Sequence, residues 1–194
     1  MLARPDRFAE FRRVLARGGV AAVPTETFYG LAADPWNEQA CARVFAIKGR
    51  EAGKALPVLV ASASDLAGLG VTASPAALER VAAIWPAPLT AVFALTTPLP
   101  CTSGERSLAV RVPAHPELRR LLARTGPLTG TSANRSGEPP ARTAADVGAA
   151  LGNAIDVLVD GGETPGGLPS TIVDARVDPP AVLRAGAFPW PETR

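Results

Sequence analysis

The sequence predicts a mixed α/β fold: a twisted sheet of parallel and antiparallel strands with flanking helices. Three observations carry this. Short apolar runs alternate along the chain with segments of helical periodicity. Several connections between the runs are too short for a parallel crossover, so some neighbouring strands must be antiparallel. Hydrophobic residues make up 47% of the 194 residues against 20% charged, enough to bury a substantial core. The length, with no internal repeat or low-complexity linker, predicts one domain over 1–194 with an ordered core over about 6–188.

The elements follow in order. Residues 6–16 place Phe8, Phe11, Val14 and Leu15 at helical spacing, and Gly18-Gly19 ends that helix. Residues 20–23 form a buried strand running through Pro24 into a tight polar turn. Residues 37–48 are helical, with Ala40, Val44 and Ile47 inward and Gly49 as the stop. Residues 56–60 are a strand in which Pro57 predicts an edge position or an irregularity. A short helix over 64–69 takes Ser64 as its N-cap, and Ser74-Pro75 opens a helix facing inward through Leu78, Val81, Ala82 and Trp85. Residues 91–95 and 107–112 are strands, the second with Leu108, Val110 and Val112 on one face and Ser107, Ala109 and Arg111 on the other. A helix over 115–124, a strand over 127–130, and a helix over 143–151 capped by Thr143 with Asp146 come next. Short strands over 155–159, 170–173 and 181–183 complete the chain.

Composition excludes several classes. Net charge is +2, too low for a dedicated nucleic-acid coat protein but compatible with a local basic patch. Cys41 and Cys101 form no CxxC motif or disulfide framework, and with the single His115 they leave too few soft ligands for zinc. His115 reads as a helix start, and without GxSxG a hydrolase triad has no support. The N-terminus lacks an apolar signal core and no apolar run reaches membrane length, which predicts a reduced, cytoplasmic protein.

The polar motifs follow strands. Only two of the 20 Lys+Arg residues are lysines, Lys48 and Lys54, and they flank Arg50. They form either a solvated charged face or a cationic clamp. GREAGKA (49–55) imitates a P-loop but has the wrong glycine spacing and Ala55 where magnesium needs a hydroxyl, so a P-loop is rejected. Thr25, Thr27 and Tyr29, with the carboxylate Glu26, serve turn and cap chemistry or line a polar pocket. Ser132 and Asn134 form an Asx or Ser turn or part of the same site. Arg111 lies in an apolar strand and needs an anionic partner, internal or ligand-borne. The residues alone point to an α/β enzyme using a nucleotide or phosphate, without a P-loop.

Seven pieces occur in register along the chain: PTETFYGL (24–31), IKGREAGKALPVLV (47–60), WPAPLT (85–90), SLAVRVPAHP (107–116), TSANRSGEPP (131–140), PSTIVD (169–174) and LRAG (183–186). In this the chain resembles the YrdC/TsaC family of threonylcarbamoyl-AMP synthases, in its short single-domain form. The resemblance implies a YrdC-like fold with a positively charged concave surface. It also implies a nucleotidyltransferase that makes threonylcarbamoyl-AMP and pyrophosphate from L-threonine, bicarbonate and ATP. The product would pass to downstream transfer proteins that form N6-threonylcarbamoyladenosine in tRNAs reading ANN codons. Carried over residue by residue, Lys48 and Arg50 are implied as catalytic residues on the ATP phosphates, with Lys54, Ser107, Asn134, Thr143 and Arg184 also on the nucleotide side. Thr27, Arg111, Ser132 and Ser170 are implied around threonine. Mg2+ would be held mainly by phosphates, with no protein ligand assigned. Ala55 and Ala87 depart from the family's usual proline and glycine, which bears on loop geometry.

A non-catalytic double-stranded RNA or tRNA binder is the alternative, using arginines such as Arg12, Arg13, Arg17, Arg119 and Arg120. It leaves the hydroxyls of Thr27, Ser132 and Ser170 without a purpose. The related carbamoyl-transfer domain of hydrogenase maturation would bring an acylphosphatase-like part and zinc fingers, which the sequence lacks.

Overall fold

The computed structural model describes residues 5–49 and 55–191, with side chains from Phe8 onward in the first helix. In chain order the elements are α1 (Pro5–Ala16), β1 (Ala21–Pro24), β2 (Tyr29–Ala32), α2 (Glu38–Lys48), β3 (Val58–Leu59), β4 (Val71–Thr72), α3 (Pro75–Ile84), β5 (Leu89–Leu95) and β6 (Ser107–Arg111). They continue with α4 (Pro116–Thr125), β7 (Leu128–Thr129), β8 (Thr131–Ser132), α5 (Ala144–Leu151), β9 (Val157–Leu158), β10 (Thr171–Asp174) and β11 (Ala181–Arg184). Two mixed sheets result: a small one ordered β8-β2-β1-β9, and a larger one ordered β11-β10-β5-β6-β3-β7 with β4 beside β5. The mixed α/β expectation holds.

Helix ends are fixed locally. The Asn37 side chain accepts from Ala40 N at 2.9 Å, and Gly49 closes α2. Ser74 caps α3 with Pro75 behind it, and Thr143 and Asp146 form a capping box on α5. His115 has the structural role expected of it: Nδ1 accepts from Leu118 N at 3.2 Å. Ser62, not Ser64, stands at the start of the short 3-10 turn Ala63–Leu69, because the Asp65 carboxylate accepts from the backbone N–H groups of Ala61 and Ser62.

The apolar run of β1 is buried on both faces. Ala21 and Val23 face α1 and α4 in a cluster with Phe8, Phe11, Leu118, Leu121 and Leu122, while Ala22 faces the main core. Between α1 and α4 that cluster leaves a groove of about 460 Å³, walled by Phe8, Leu118 and Leu121. In the larger sheet Leu89, Ala91 and Phe93 of β5 and Leu108 and Val110 of β6 enter the main core. That turns Thr90, Ala109 and Arg111 to the opposite face.

Three details of the sequence reading change. The polar turn after Pro24 is the turn of a hairpin, and its return strand β2 pairs with both β1 and β8. Pro57 does not mark an edge, since β3 lies between β6 and β7 and Pro57 immediately precedes the paired residues. Ala82 is exposed on α3, where Ala77 and Val81 carry the inner face. The segment from β7 to β8 changes sheets at Gly130, whose backbone presses on Leu59 so closely that a Cβ there would lie 2.3 Å from Leu59 Cγ.

Candidate active site

The change of sheets opens a cavity of about 270 Å³ between the β1–β2 turn and the polar face of the larger sheet. Thr27 enters from the turn, Thr90 and Arg111 from β5 and β6, Ser132 from β8, Ser170 from the loop before β10, and Arg184 from β11. Both readings of the turn hydroxyls hold. The Thr25 hydroxyl caps the turn, donating to Phe28 O at 2.7 Å and accepting from Thr27 N at 3.1 Å. It also lies 3.1 Å from the Thr27 hydroxyl.

The charge of Arg111 is desolvated. Arg111 is 5% exposed, and burial pushes its guanidinium below the ordinary arginine range despite the opposing charge of Glu26. Glu26 approaches it at 3.5 Å, yet among the described residues neither Glu26 carboxylate oxygen accepts a hydrogen bond. The carboxylate therefore offsets the charge of Arg111 through an ion contact rather than a hydrogen bond. Arg184 is exposed as a residue, yet partial burial of its guanidinium and then the positive charge of Arg111 also push it down. Its Nη2 donates to Ser170 O at 2.7 Å, and the Ser170 and Thr90 hydroxyls are 2.9 Å apart. Two guanidiniums beside one carboxylate leave a net positive wall suited to one anionic group.

Next to this wall the last residue of α2 turns inward. Lys48 is 2% exposed, and its Nζ donates to Ser132 O at 2.7 Å, Ser132 Oγ at 3.3 Å and Asn134 Oδ1 at 2.8 Å. The Asn134 amide donates onward to Arg135 O and Glu138 O. Lys48 thus belongs to a buried polar network rather than a solvated face. Among the described residues no group of three His, Cys, Asp or Glu could hold a metal ion, and no helix is long and apolar enough to cross a membrane.

The Sua5/YciO/YrdC family model, described as telomere recombination, matches residues 13–186. The chain belongs to this family. It is 44% identical over 177 residues to the threonylcarbamoyl-AMP synthase of Chromohalobacter salexigens, covering 87% of this chain and 92% of that protein. Against the threonylcarbamoyl-AMP synthase of Pyrococcus abyssi it is 36% identical over 181 residues, covering 92% of this chain but only 53% of the longer relative. The crystal structure of P. abyssi Sua5 complexed with L-threonine superimposes with a TM-score of 0.87 at 35% identity, over 96% of this chain and 56% of that one.

Against the residues implied by the Sua5/YciO/YrdC family, the structure brings Thr27, Arg111, Ser132, Ser170 and Arg184 to one cavity. Lys48 and Asn134 adjoin it through Ser132. Ser107 continues the row of Ala109 and Arg111 along β6 but lies outside the cavity wall. Thr143 does not line the cavity; its hydroxyl accepts from Asp146 N at 3.1 Å as the cap of α5. Arg50 and Lys54 fall outside the described residues. Sequence reasoning missed Thr90, the polar position of a strand whose start at Leu89 would have revealed the alternation. It also missed the pairing of Arg184 with Ser170, which only the β10–β11 register creates.

Proposed function

We propose that this chain is an L-threonylcarbamoyladenylate synthase, a nucleotidyltransferase joining L-threonine, bicarbonate and ATP with release of pyrophosphate. The observation that carries this reading is the buried Arg111 beside Arg184 in a hydroxyl-lined cavity of amino-acid size. Arg111 takes the substrate carboxylate, and Thr27, Ser132 and Ser170 surround the rest of threonine. The threonine nitrogen, once deprotonated, forms a carbamate with bicarbonate and water leaves. A carbamate oxygen then attacks the α-phosphorus of ATP and pyrophosphate departs.

The chemistry needs positioning and charge neutralisation more than a strong base. Lys48, with Arg50 and Lys54, supplies cations for the triphosphate, and Asn134 orients Lys48. Magnesium arrives bound to the triphosphate. The adenylate would serve tRNA N6-threonylcarbamoyladenosine formation through separate transfer proteins. The deciding experiment is pyrophosphate release with ATP and bicarbonate, with and without L-threonine. Release that requires threonine supports the reading. No release, with intact binding of double-stranded RNA, would replace it with the non-catalytic RNA-binding alternative.

A further inference from the structure

The glycine-rich segment 160–167 has the composition of a mobile loop, yet it is fastened to the cavity from both ends. The ring of Tyr29 is fully buried, and its hydroxyl donates to Gly162 O at 2.8 Å while accepting from Gly161 N at 3.0 Å. Burial raises the phenol above its ordinary value of 10.0, so it stays a proton donor at neutral pH. At the other end Gly166 N donates to Thr27 O at 2.8 Å. Between the two, Thr164 is buried and donates through N and Oγ1 to Arg142 O at 2.9 and 3.1 Å. The Arg142 guanidinium pairs with Glu163 at 2.8 Å and lies under Gly166, where a Cβ would come 2.7 Å from its Nε. Gly166 also adopts a φ of +70°, a left-handed conformation that favours glycine. Beyond the segment the chain runs directly into Pro169 and Ser170 of the cavity wall.

We infer that segment 160–167 is a strap that sets the positions of Thr27 and Ser170, and that Tyr29 is the positioning residue that fastens it. The inference rests on the threonine-binding reading of this cavity. Tyr29 sits in the strand after the turn that carries Thr27, so one hydroxyl ties both threonine-side walls to a common frame. The strap touches Thr27 through its carbonyl and leaves the Thr27 side chain directed at the cavity. A shift of about an ångström in such a wall weakens a bound substrate without touching chemistry elsewhere.

The test compares wild type with Tyr29→Phe, which keeps the ring and removes the hydroxyl. Backbone hydrogen exchange is read at Gly161 and Gly166, and steady-state kinetics are read separately for threonine and ATP. Faster exchange at both glycines is expected, with KM for threonine raised about ten-fold and KM for ATP within about two-fold of wild type. Gly166→Ala, which strains the other fastening, should give the same split. Unchanged exchange in Tyr29→Phe overturns the strap whatever the activity. Loosened exchange with an unchanged threonine KM, or equal rises for both substrates, overturns the positioning role. If wild type shows no threonine-dependent turnover, the proposed reaction fails and the positioning role goes with it, while exchange still decides whether Tyr29 fastens the strap.

Discussion

The groove between α1 and α4 and the cavity between the sheets are built from opposite materials. The groove is the larger, at about 460 Å³ against about 270 Å³. Its walls come mainly from α4, with Phe8 of α1, Val23 and Pro24 of β1 and Val159 completing them, and Arg120 pairs with Glu117 near solvent. The cavity gathers hydroxyls from four separate segments around the buried guanidinium of Arg111 and the more exposed one of Arg184. Burying Arg111 next to a carboxylate that makes no hydrogen bonds among the described residues costs stability unless a ligand uses the arrangement. Convergent polar groups, rather than volume, are why we propose the cavity as the functional one.

The comparison breaks first at Arg111. Arg111→Gln should lower kcat/KM for threonine by about 10²–10³-fold. It should also cost about 3 kcal/mol by stranding the buried Glu26 carboxylate. Adding Glu26→Gln should restore most of the stability, read by urea unfolding, and none of the activity. An active double variant would make the ion pair purely structural.

A second experiment probes the groove. Leu121→Ala removes a side chain buried between α4 and α1, and should destabilise the fold by about 2–5 kcal/mol. Threonine and ATP KM values should stay at wild-type levels below the melting transition. Altered kinetics in the folded enzyme would give the groove a part in the reaction.

The smallest effect belongs to Thr143. Since its hydroxyl caps α5, Thr143→Ala should cost about 1 kcal/mol and leave ATP KM unchanged. A raised ATP KM would place Thr143 on the nucleotide side and extend the site beyond the cavity.

Legibility followed the range of the interactions. Ser74-Pro75, His115 and the Thr143/Asp146 box were readable because a cap and its helix lie within four residues. The long apolar strands were readable from their periodicity. The strands β2 and β8 were not, because Tyr29–Ala32 and Thr131–Ser132 are strands chiefly by virtue of pairing with distant segments. Two-residue strands carry no period. The same holds in the site. Strand-following polar residues pointed to a common pocket, and the family resemblance separated candidate ligands from turn formers. The fastening of Gly161 and Gly162 by Tyr29 spans more than 130 positions, and no local pattern announces it.

The passage of one short segment through both sheets has a consequence for motion. Residues 128–132 are paired with β3 on one side of Gly130 and with β2 on the other. The glycine backbone is seated against Leu59, which itself lines the cavity. At this joint the sheets are not two jaws on a hinge. They share a rivet at Gly130, where one backbone segment belongs to both.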